Sequence, residues 1–353
     1  MHRSIRQGKD GNLVIQDCTP VAPLESDMIL VRTLCVAINP NDYKMADNFP
    51  TPGLAVGCDF AGTVVALGSS ITPRTHNLSV GDKVAGAVHG SNTLRPDVGA
   101  FGEYVTAYAD CVFRMPEDMD WESAAAIGGA APGTIGLALV ESLQIPGHPE
   151  NPTGTPFFVL IYGGSTSNGT LASQLLKLAG ARCIATCSSR NFDLVKSYGV
   201  EAVFDYASPT WVADVRAYTK NNLRYALDII TDTKSITSCY AVLGRLGGRY
   251  TGLEMIPDEV SAGLRKTVKC DWVMGLSMSG EMIDLPGGYS CEARPERRAF
   301  GKEWFQTIER LVHAGKLRPH PPRGLEGGFQ GILEGVDMLR QHRVSGQKLV
   351  CML

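Results

Sequence analysis

Apolar positions in the first third of the chain form short runs that glycine-containing turns separate. The runs are rich in β-branched residues and lie at 28–39, 63–67, 83–88 and 103–107. Short runs of this kind, bounded by turn residues, are typical of β-strands. Their spacing predicts a compact, barrel-like β domain.

A helical pattern follows the β-rich segment at residues 121–143. We expect Pro132, Gly133 and Thr134 to break this helix. A Pro/Gly-rich loop at 144–155 then precedes the next apolar run.

From residue 157 to about 275, apolar runs alternate with amphipathic segments. Strands are expected at 157–162, 182–187, 202–204, 225–230, 249–253 and 268–275. Helices are expected at 167–179, 191–198, 209–220 and 234–243. Such alternation predicts an α/β fold with a doubly wound parallel sheet that carries helices on both faces.

The last segment returns to a different pattern, with helices expected at 296–314 and 329–339 and a strand at 348–353. A terminal helix and strand most simply rejoin the first domain. We therefore predict two domains, one formed by 1–133 and 286–353 and the other by 134–285. The length of 353 residues favours two cores over one.

Composition narrows the classes of partner and compartment. The net charge of −3 does not favour a nucleic-acid or membrane-surface protein. Ten scattered cysteines without a C-x-x-C pair predict buried thiols in a reducing compartment. With no secretory signal and no apolar run near the length of a membrane span, we expect a cytoplasmic protein with neither nucleic-acid nor membrane partner.

The stretch 157–180 has the pattern of a nucleotide-binding strand, turn and helix. Gly163 and Gly164 follow the buried strand, and Gly169 lies in the helix that begins after them. Free N–H groups at such a helix start bind phosphate, and here Ser165, Thr166, Ser167 and Asn168 are the expected pyrophosphate contacts. The spacing departs from G-x-G-x-x-G, so a turn without a ligand stays open as the alternative.

The end of the second strand of this half discriminates between NAD and NADP. An acidic residue there binds the ribose 2′-hydroxyl of NAD. This chain has Cys187, Ser188, Ser189, Arg190 and Asn191, with no carboxylate. Serine hydroxyls and a guanidinium suit a 2′-phosphate, which predicts NADPH. The same residues could also be an ordinary helix cap and a solvated arginine.

Four sequence blocks in the β-rich part carry a family resemblance: 37–44 (AINPNDYK), 57–69 (GCDFAGTVVALGS), 80–86 (VGDKVAG) and 99–105 (GAFGEYV). Their order, followed by a nucleotide half, resembles the medium-chain dehydrogenase/reductase superfamily. The resemblance implies a GroES-like catalytic domain beside a Rossmann domain. The zinc-binding residues of one branch are missing: Asn39 stands at the first ligand position, and Cys58 and Asp59 replace its Gly-His-Glu. We expect no metal.

Three further blocks, at 187–206, 221–231 and 344–350, are similar to the stand-alone, trans-acting enoyl reductases of fungal polyketide pathways. This resemblance implies NADPH-dependent reduction of an α,β-unsaturated polyketide thioester. The implied partners are the acyl carrier protein and the body of a polyketide synthase or synthase–peptide synthetase hybrid, served by a monomer. Two alternatives stay open: a quinone or enone reductase of free small molecules, and a non-catalytic NADPH-binding subunit.

The resemblance also assigns residues. It implies that Lys44 has a polar role at the cofactor, in a turn with Asn41, Asp42 and Tyr43, and that Thr134 lies near nicotinamide and substrate. For Lys44 the alternative is an ordinary exposed lysine, for Asp42 a turn cap and for Thr134 a helix N-cap.

The remaining matched positions lie in the nucleotide half and the tail. Tyr206 matches a position near the adenine, and Leu253, Val344 and Ser345 match positions along the nicotinamide. The implied substrate contacts are Gly133, Thr134, Met274, Gly275, Leu276, Ser277 and Met278. Core packing is the alternative for Tyr206 and for the methionine-containing stretch.

Overall fold

The computed structural model describes all 353 residues, Met1–Leu353, as two compact units. Unit 1 comprises Met1–Gly133 and Leu276–Leu353, and unit 2 comprises Thr134–Gly275. The first boundary coincides with the expected one, whereas the second lies after residue 275 and not after 285.

The later boundary was misplaced because the segment after Gly275 bonds to unit 1. The Arg95 guanidinium donates to the Glu281 carboxylate at 2.8 Å. The Thr93 hydroxyl donates to the Asp284 carbonyl at 3.1 Å. These contacts are distant in sequence, so a local pattern could not indicate them.

Unit 1 is built on a seven-stranded sheet and a separate two-stranded one. Its strands are β1 (His2–Gln7), β2 (Leu13–Thr19), β3 (Met28–Ala37), β4 (Asp59–Leu67), β5 (Lys83–Ala87), β6 (Tyr104–Tyr108), β7 (Val112–Arg114), β14 (Pro322–Leu325) and β15 (Lys348–Met352). Its helices are α1 (Pro40–Asn48), α2 (Trp121–Ile127), α9 (Pro295–His313) and α10 (Phe329–Arg340). The order β14-β15-β3-β4-β5-β7, with β6 on β3, confirms a β-rich first domain.

The tail rejoins unit 1 as expected. Strand β15 pairs antiparallel with β3, with Val350 opposite Ala37. The buried faces of these strands share one core with Ile332 and Val336 of α10. Burial of these apolar side chains therefore holds the C-terminal helix and strand against the N-terminal β-sheet.

Unit 2 contains a six-stranded parallel sheet in the order β10-β9-β8-β11-β12-β13. The strands are β8 (Phe157–Tyr162), β9 (Ala181–Cys187), β10 (Ala202–Asp205), β11 (Tyr225–Asp228), β12 (Gly248–Gly252) and β13 (Val268–Trp272). The helices are α4 (Ser167–Leu178), α5 (Phe192–Ser197), α6 (Trp211–Tyr218), α7 (Thr233–Val242) and α8 (Asp258–Ser261). This confirms the doubly wound sheet, whose order reverses beside β8, where such sheets bind nucleotides.

The helical stretch after β7 differs from expectation in two ways. Gly128, with φ of 57°, ends α2, and α3 (Ala130–Gly136) continues through the expected break at Pro132. Proline is tolerated there because the first turn of a helix needs no N–H donor. Thr134 therefore lies inside α3 and is not its N-cap.

The same stretch corrects the expectation that no apolar run reaches membrane length. Residues Trp121–Ser142 are long and apolar enough to cross a membrane by length and composition alone. However, 78% of the apolar window is buried inside the protein, as in the core helix of a globular protein. One such helix is weak support for a membrane span.

Candidate active site

The turn after β8 fits close to the start of α4 because its glycines have no side chains. Gly163 has φ of 93°, which favours glycine. A Cβ on Gly169 would lie 2.5 Å from the Gly163 carbonyl oxygen, so only glycine lets the helix approach the turn this closely. Thr166 caps α4: its hydroxyl accepts from the Gly169 N–H at 3.0 Å and donates to the Gly163 carbonyl at 2.8 Å.

The surroundings of this turn fit a phosphate group. Ser165, Thr166, Ser167 and Asn168 are all partly exposed at the start of the twelve-residue helix α4. The side-chain oxygen of Asn168 is buried without a hydrogen-bond partner, and a buried polar atom of this kind is costly unless something satisfies it. The turn and the helix N-terminus form the kind of cradle that holds a pyrophosphate. The Asn168 side chain can contribute only its N–H₂ donors there, because its orphaned oxygen is an acceptor, as the phosphate oxygens are.

A second cluster lies at the carboxyl ends of β9 and β10. The hydroxyls of Ser188 and Tyr206 lie 3.0 Å apart, so two residues predicted independently are brought together. Arg190 and Ser189 are exposed in a short 3-10 helix, Ser189–Asn191, and no carboxylate ends β9. Asp205, which ends β10, already accepts from the Ala207 N–H at 2.8 Å. This neighbourhood offers hydroxyl and guanidinium donors to an anion.

Asp228, which the sequence reasoning missed, organises the loop after β11. It is fully buried, and its carboxylate accepts from the Thr231 N–H at 2.9 Å, the Ser235 hydroxyl at 2.6 Å and the Tyr250 hydroxyl at 2.8 Å. Burial raises the pKa of Asp228, and these hydrogen bonds oppose that shift. An aspartate directly after a buried apolar strand was the available signal.

The loop that Asp228 holds also fixes Leu253. The Leu253 N–H donates to the Thr231 hydroxyl at 2.9 Å and to the Asp228 carbonyl at 3.1 Å. The predicted cofactor position Leu253 is therefore firmly placed at the carboxyl end of β12, on the same edge of the sheet as the phosphate turn. Its contact with the nicotinamide stays a prediction.

Thr134 and Gly275, both predicted near the substrate, lie against each other. A Cβ added to Gly275 would be 1.9 Å from the Thr134 hydroxyl oxygen, so this contact requires glycine. Gly133 is buried next to Thr134 in the chain, while Met274 and Leu276 are partly exposed.

Ser277 and Met278 of the predicted substrate set are buried in this structure, and their contact with the substrate stays a prediction. Ser277 is 2% exposed, and its hydroxyl accepts from the Arg297 guanidinium at 2.6 Å. Met278 is 3% exposed and packs against Gly301 of α9. Both side chains fill the interior of unit 1, because α9 packs over a segment that appears loop-like in the sequence.

In unit 1, helix α1 carries the predicted cofactor-facing turn. Asn39 and Asp42 form a capping box, in which the Asp42 carboxylate accepts from the Asn39 N–H at 2.7 Å. Asp42 is therefore the turn cap, with its side chain buried. Its contact with the cofactor stays a prediction. Lys44 lies exposed on the same helix.

Burial raises the pKa of Asp42 to about 7, while the Asn39 hydrogen bond and the Lys348 charge lower it. Its second carboxylate oxygen is buried without a partner. The predicted neighbour Asn41 donates its amide to the Cys58 sulfur at 3.6 Å. Cys58 is buried, and burial raises the pKa of its thiol, so it is a small core residue as expected.

The other predicted residues of unit 1 lie at its surface and at the edge of its core. Tyr43 and Val344 pack partly buried against that core, and the Arg340 guanidinium lies 5.8 Å from the Tyr43 ring centroid. Ser345 is exposed. Cofactor contacts by these three residues stay predictions.

A buried polar network, also missed, ties α1 to the tail and to α3. Asp59 is fully buried and accepts from the Gly129 and Ala130 N–H groups at 2.9 and 2.8 Å. It also accepts from the Asn39 side-chain amide at 2.8 Å and lies 3.3 Å from the Lys348 ammonium. The ammonium in turn donates to the side-chain oxygen (Oδ1) of Asn39. A buried lysine needs such a partner, so the pair fixes β15 to the start of α1.

No three His, Cys, Asp or Glu side chains in the structure are arranged to hold a metal ion. All ten cysteines are free thiols, and most of them are buried. That the protein works without a metal stays a prediction.

Two known protein families match this chain, one in each half. The family described as alcohol dehydrogenase GroES-like domain matches residues 25–117. The family described as zinc-binding dehydrogenase matches residues 169–278. The two matches follow the β-rich part and the nucleotide half, as the resemblance implied.

Relatives narrow the family further. The trans-enoyl reductase ffsC of Aspergillus flavipes is 49% identical over 352 residues, which cover 99% of this chain and 95% of that protein. The trans-enoyl reductase ccsC of Aspergillus clavatus is 47% identical, with 98% and 94% covered. The chain belongs to the trans-enoyl reductases of the medium-chain dehydrogenase/reductase superfamily.

Solved structures support the fold of this trans-enoyl reductase. The CurK enoyl reductase superposes with a TM-score of 0.76 at 18% identity, and 99% of each chain is covered. Within the enzyme, the unit-2 sheet and its glycine turn fit a nicotinamide cofactor.

Proposed function

We propose that this trans-enoyl reductase uses NADPH to reduce the α,β-unsaturated thioester of a polyketide bound to a carrier protein. One observation supports this reaction above all: the chain is 45–49% identical, over nearly its full length, to several proteins named trans-enoyl reductase. The carboxylate-free end of β9 supports NADPH over NADH, because an acid there would repel a 2′-phosphate.

The chain's own residues bind and orient, and NADPH when bound supplies the hydride for the β-carbon of the thioester. The glycine turn and the α4 N-terminus hold the pyrophosphate, helped by the Asn168 amide. Ser188, Arg190 and Asn191 hold the phosphate on the ribose, and Tyr206 lies near the adenine. Charge develops on the thioester oxygen as the hydride arrives, and a hydrogen-bond donor such as Thr134 or Lys44 would stabilise it. A proton from the solvent then adds to the α-carbon and gives the saturated thioester.

The partner in this proposal is an iterative polyketide synthase or synthase–peptide synthetase hybrid, whose acyl carrier protein delivers the thioester. We propose that the enzyme works as a cytoplasmic monomer. The near-complete coverage of relatives named trans-enoyl reductase supports a partner of this class.

The reaction is tested with purified protein, NADPH and pantetheine-linked enoyl thioesters of graded length and α-methylation. We expect NADPH oxidation that depends on the thioester and yields the saturated product. Oxidation with simple quinones or free enones, but with none of the thioesters, would assign the protein to small-molecule reductases. Tight NADPH binding without hydride transfer to any enoyl substrate would make it a non-catalytic subunit.

Arg190→Ala tests the cofactor. We expect the KM for NADPH to rise about tenfold or more and the KM for NADH to stay unchanged, because the guanidinium pairs only with the 2′-phosphate. Lys196→Ala, an exposed cation in the following helix, is the matched control. A preference for NADPH that survives Arg190→Ala would place the phosphate elsewhere.

A further inference from the structure

Three adjacent loops at one edge of the unit-2 sheet carry basic residues and no acidic one. Residues 219–224 precede β11, residues 243–247 precede β12 and residues 262–267 precede β13. These three strands are neighbours and parallel, so their starts lie on the same edge. The phosphate turn follows the carboxyl end of β8 and therefore lies at the opposite edge of this sheet.

The three loops form one packed surface. The Gly244 N–H donates to the Leu223 carbonyl at 2.8 Å, which joins the first loop to the second. The Arg265 guanidinium donates to the Gly244 carbonyl at 3.2 Å, which joins the second loop to the third. A Cβ on Gly247 would lie 1.9 Å from the Thr267 carbonyl oxygen. Such contacts fix the side chains that the loops present.

We give the name basic edge to five exposed cations: Lys220, Arg224, Arg245 and Lys266 in the loops, and Lys269 near the start of β13. Arg265 is left out because its guanidinium bonds to backbone carbonyls. None of the five forms an ion pair with an acidic residue of the chain. Five unpaired positive charges on one sheet edge contrast with the net charge of −3 for the whole chain.

Leu246 lies among these cations and is 83% exposed, more than any other large apolar side chain of the chain. It sits at the tip of the loop between Arg245 and Gly247. At this position the Leu246 side chain is not buried by the rest of the chain and does not add to the core. A single exposed leucine is common on protein surfaces. What sets Leu246 apart is its place between the unpaired cations of three loops that pack together.

We propose that the basic edge, with Leu246 as its apolar anchor, is the surface by which this enzyme docks onto an acidic face of its partner synthase. The proposal rests on the proposed function, which supplies a partner of that class. Unpaired cations steer and orient an acidic partner surface, and the leucine adds buried apolar area at its centre. Docking there leaves the carboxyl edge of the same sheet, with its phosphate turn, open.

An anionic membrane shares part of this chemistry, but the geometry favours a protein. Membrane-surface binding needs a broad apolar face or a lipid chain in addition to basic residues. The basic edge presents a single exposed leucine on short loops, and no amphipathic helix accompanies it.

The test measures two reactions of the full-length enzyme: reduction of a free pantetheine-linked enoyl thioester, and reduction of the enoyl chain carried by the purified partner synthase. The variants are K220E/R224E/K266E and, separately, L246S. The control is K9E/R74E/K234E, which makes the same charge change at exposed cations outside the basic edge.

We expect both variants to raise the KM for the synthase-bound chain, the triple variant by about tenfold or more, while kinetics on the free thioester stay within about twofold. The control should match the wild type in both reactions. Raising NaCl from about 50 to about 300 mM should raise the wild-type KM for the synthase-bound chain and not that of the triple variant.

An unchanged KM in the triple variant, or an equal rise in the control, would overturn the proposal. The proposal would also be overturned if the wild type sediments with phosphatidylserine vesicles, the triple variant does not, and the two have the same KM for the synthase-bound chain. If the wild type reduces neither the free thioester nor the synthase-bound chain, the proposed function fails and docking is judged by direct binding to the immobilised synthase. Binding that the triple variant loses and the control keeps would then still support the surface.

Discussion

Lys44 is exposed on α1, one turn after a buried capping box, and the helix fixes its backbone. An exposed lysine contributes little to stability, and a functional role should therefore appear in kinetics alone. The family resemblance gives it a polar role at the cofactor, and substitution can test this without unfolding the protein.

Lys44→Ala should lower kcat/KM for NADPH-dependent thioester reduction by about tenfold or more, with Tm unchanged. Lys44→Arg, which keeps the charge, should retain part of the activity. Lys9→Ala, at an exposed position of unit 1, is the control. Steady-state kinetics at varied NADPH give the answer, and unchanged kinetics would remove Lys44 from the site.

Asp42 makes stability depend on pH. Folding raises its pKa from an ordinary 3.8 to about 7, so the folded protein binds this proton more tightly than the unfolded chain does. Its contribution to stability is therefore greatest below pH 4 and is lost as pH rises towards 7. Lys348 and Asp59 are the charged groups that face it.

Asp42→Asn should remove this dependence. The Tm of the variant minus that of the wild type should be larger at pH 8 than at pH 5, by about 5 °C, because only the wild type loses this proton. Thermal unfolding monitored by circular dichroism across this range measures the difference, with Asp118→Asn, an exposed aspartate, as control. A pH-independent Tm difference would contradict the buried, protonated state.

At the scale of elements, the start of α4 depends on how closely the helix approaches the β8 turn. Two glycines permit this approach: Gly163 by its positive φ and Gly169 by the space that a side chain would fill. Gly164 instead lets the turn lie close to β9, since its Cβ would be 2.7 Å from the Ala185 Cβ. The helix N-terminus must stay close for its N–H groups to converge on one phosphate.

Gly169→Ala should push α4 away from the turn, because the new Cβ would lie 2.5 Å from the Gly163 carbonyl oxygen. We expect the Kd for NADPH, measured by fluorescence titration, to rise about tenfold or more while the secondary structure is kept. Gly154→Ala, where nothing lies within 4 Å, is the control. An unchanged Kd would show that the cofactor does not bind at this turn.

At the scale of the whole molecule, the chain combines a superfamily fold with a site that lacks the family's metal ligands. Asn39, Cys58 and Asp59 stand where the zinc branch places its ligand residues, and their side chains hydrogen-bond with one another or with neighbours inside unit 1. Polar groups already satisfied in this way are poor ligands for an added ion.

Chelation should therefore leave the enzyme active. Incubation with EDTA and 1,10-phenanthroline, followed by desalting, should change kcat/KM for thioester reduction by less than about twofold. The zinc content of the purified protein, measured by inductively coupled plasma mass spectrometry, should be far below one ion per chain. Activity lost on chelation and restored by zinc would contradict this prediction.

The sequence alone determined the class of fold and the place of the nucleotide. Short apolar runs that alternate with helical patterns can be recognised from neighbouring residues alone. For this reason β8, the glycine turn and the parallel sheet of unit 2 could be predicted. The lack of an acidic residue after β9 can likewise be read from the sequence alone. Ser188, Arg190 and Tyr206 were assigned in this way or from the family resemblance, and the structure brings Ser188 and Tyr206 together.

Only the tertiary structure decided the roles that depend on distant partners. Asp42 became a buried cap, Ser277 and Met278 became packing residues under α9, and Asp59 with Lys348 formed a buried pair between residues 289 positions apart. The basic edge likewise exists because β11, β12 and β13 start side by side. Burial and pairing across such separations are set by which surfaces pack together, and a local pattern of residues does not contain that information.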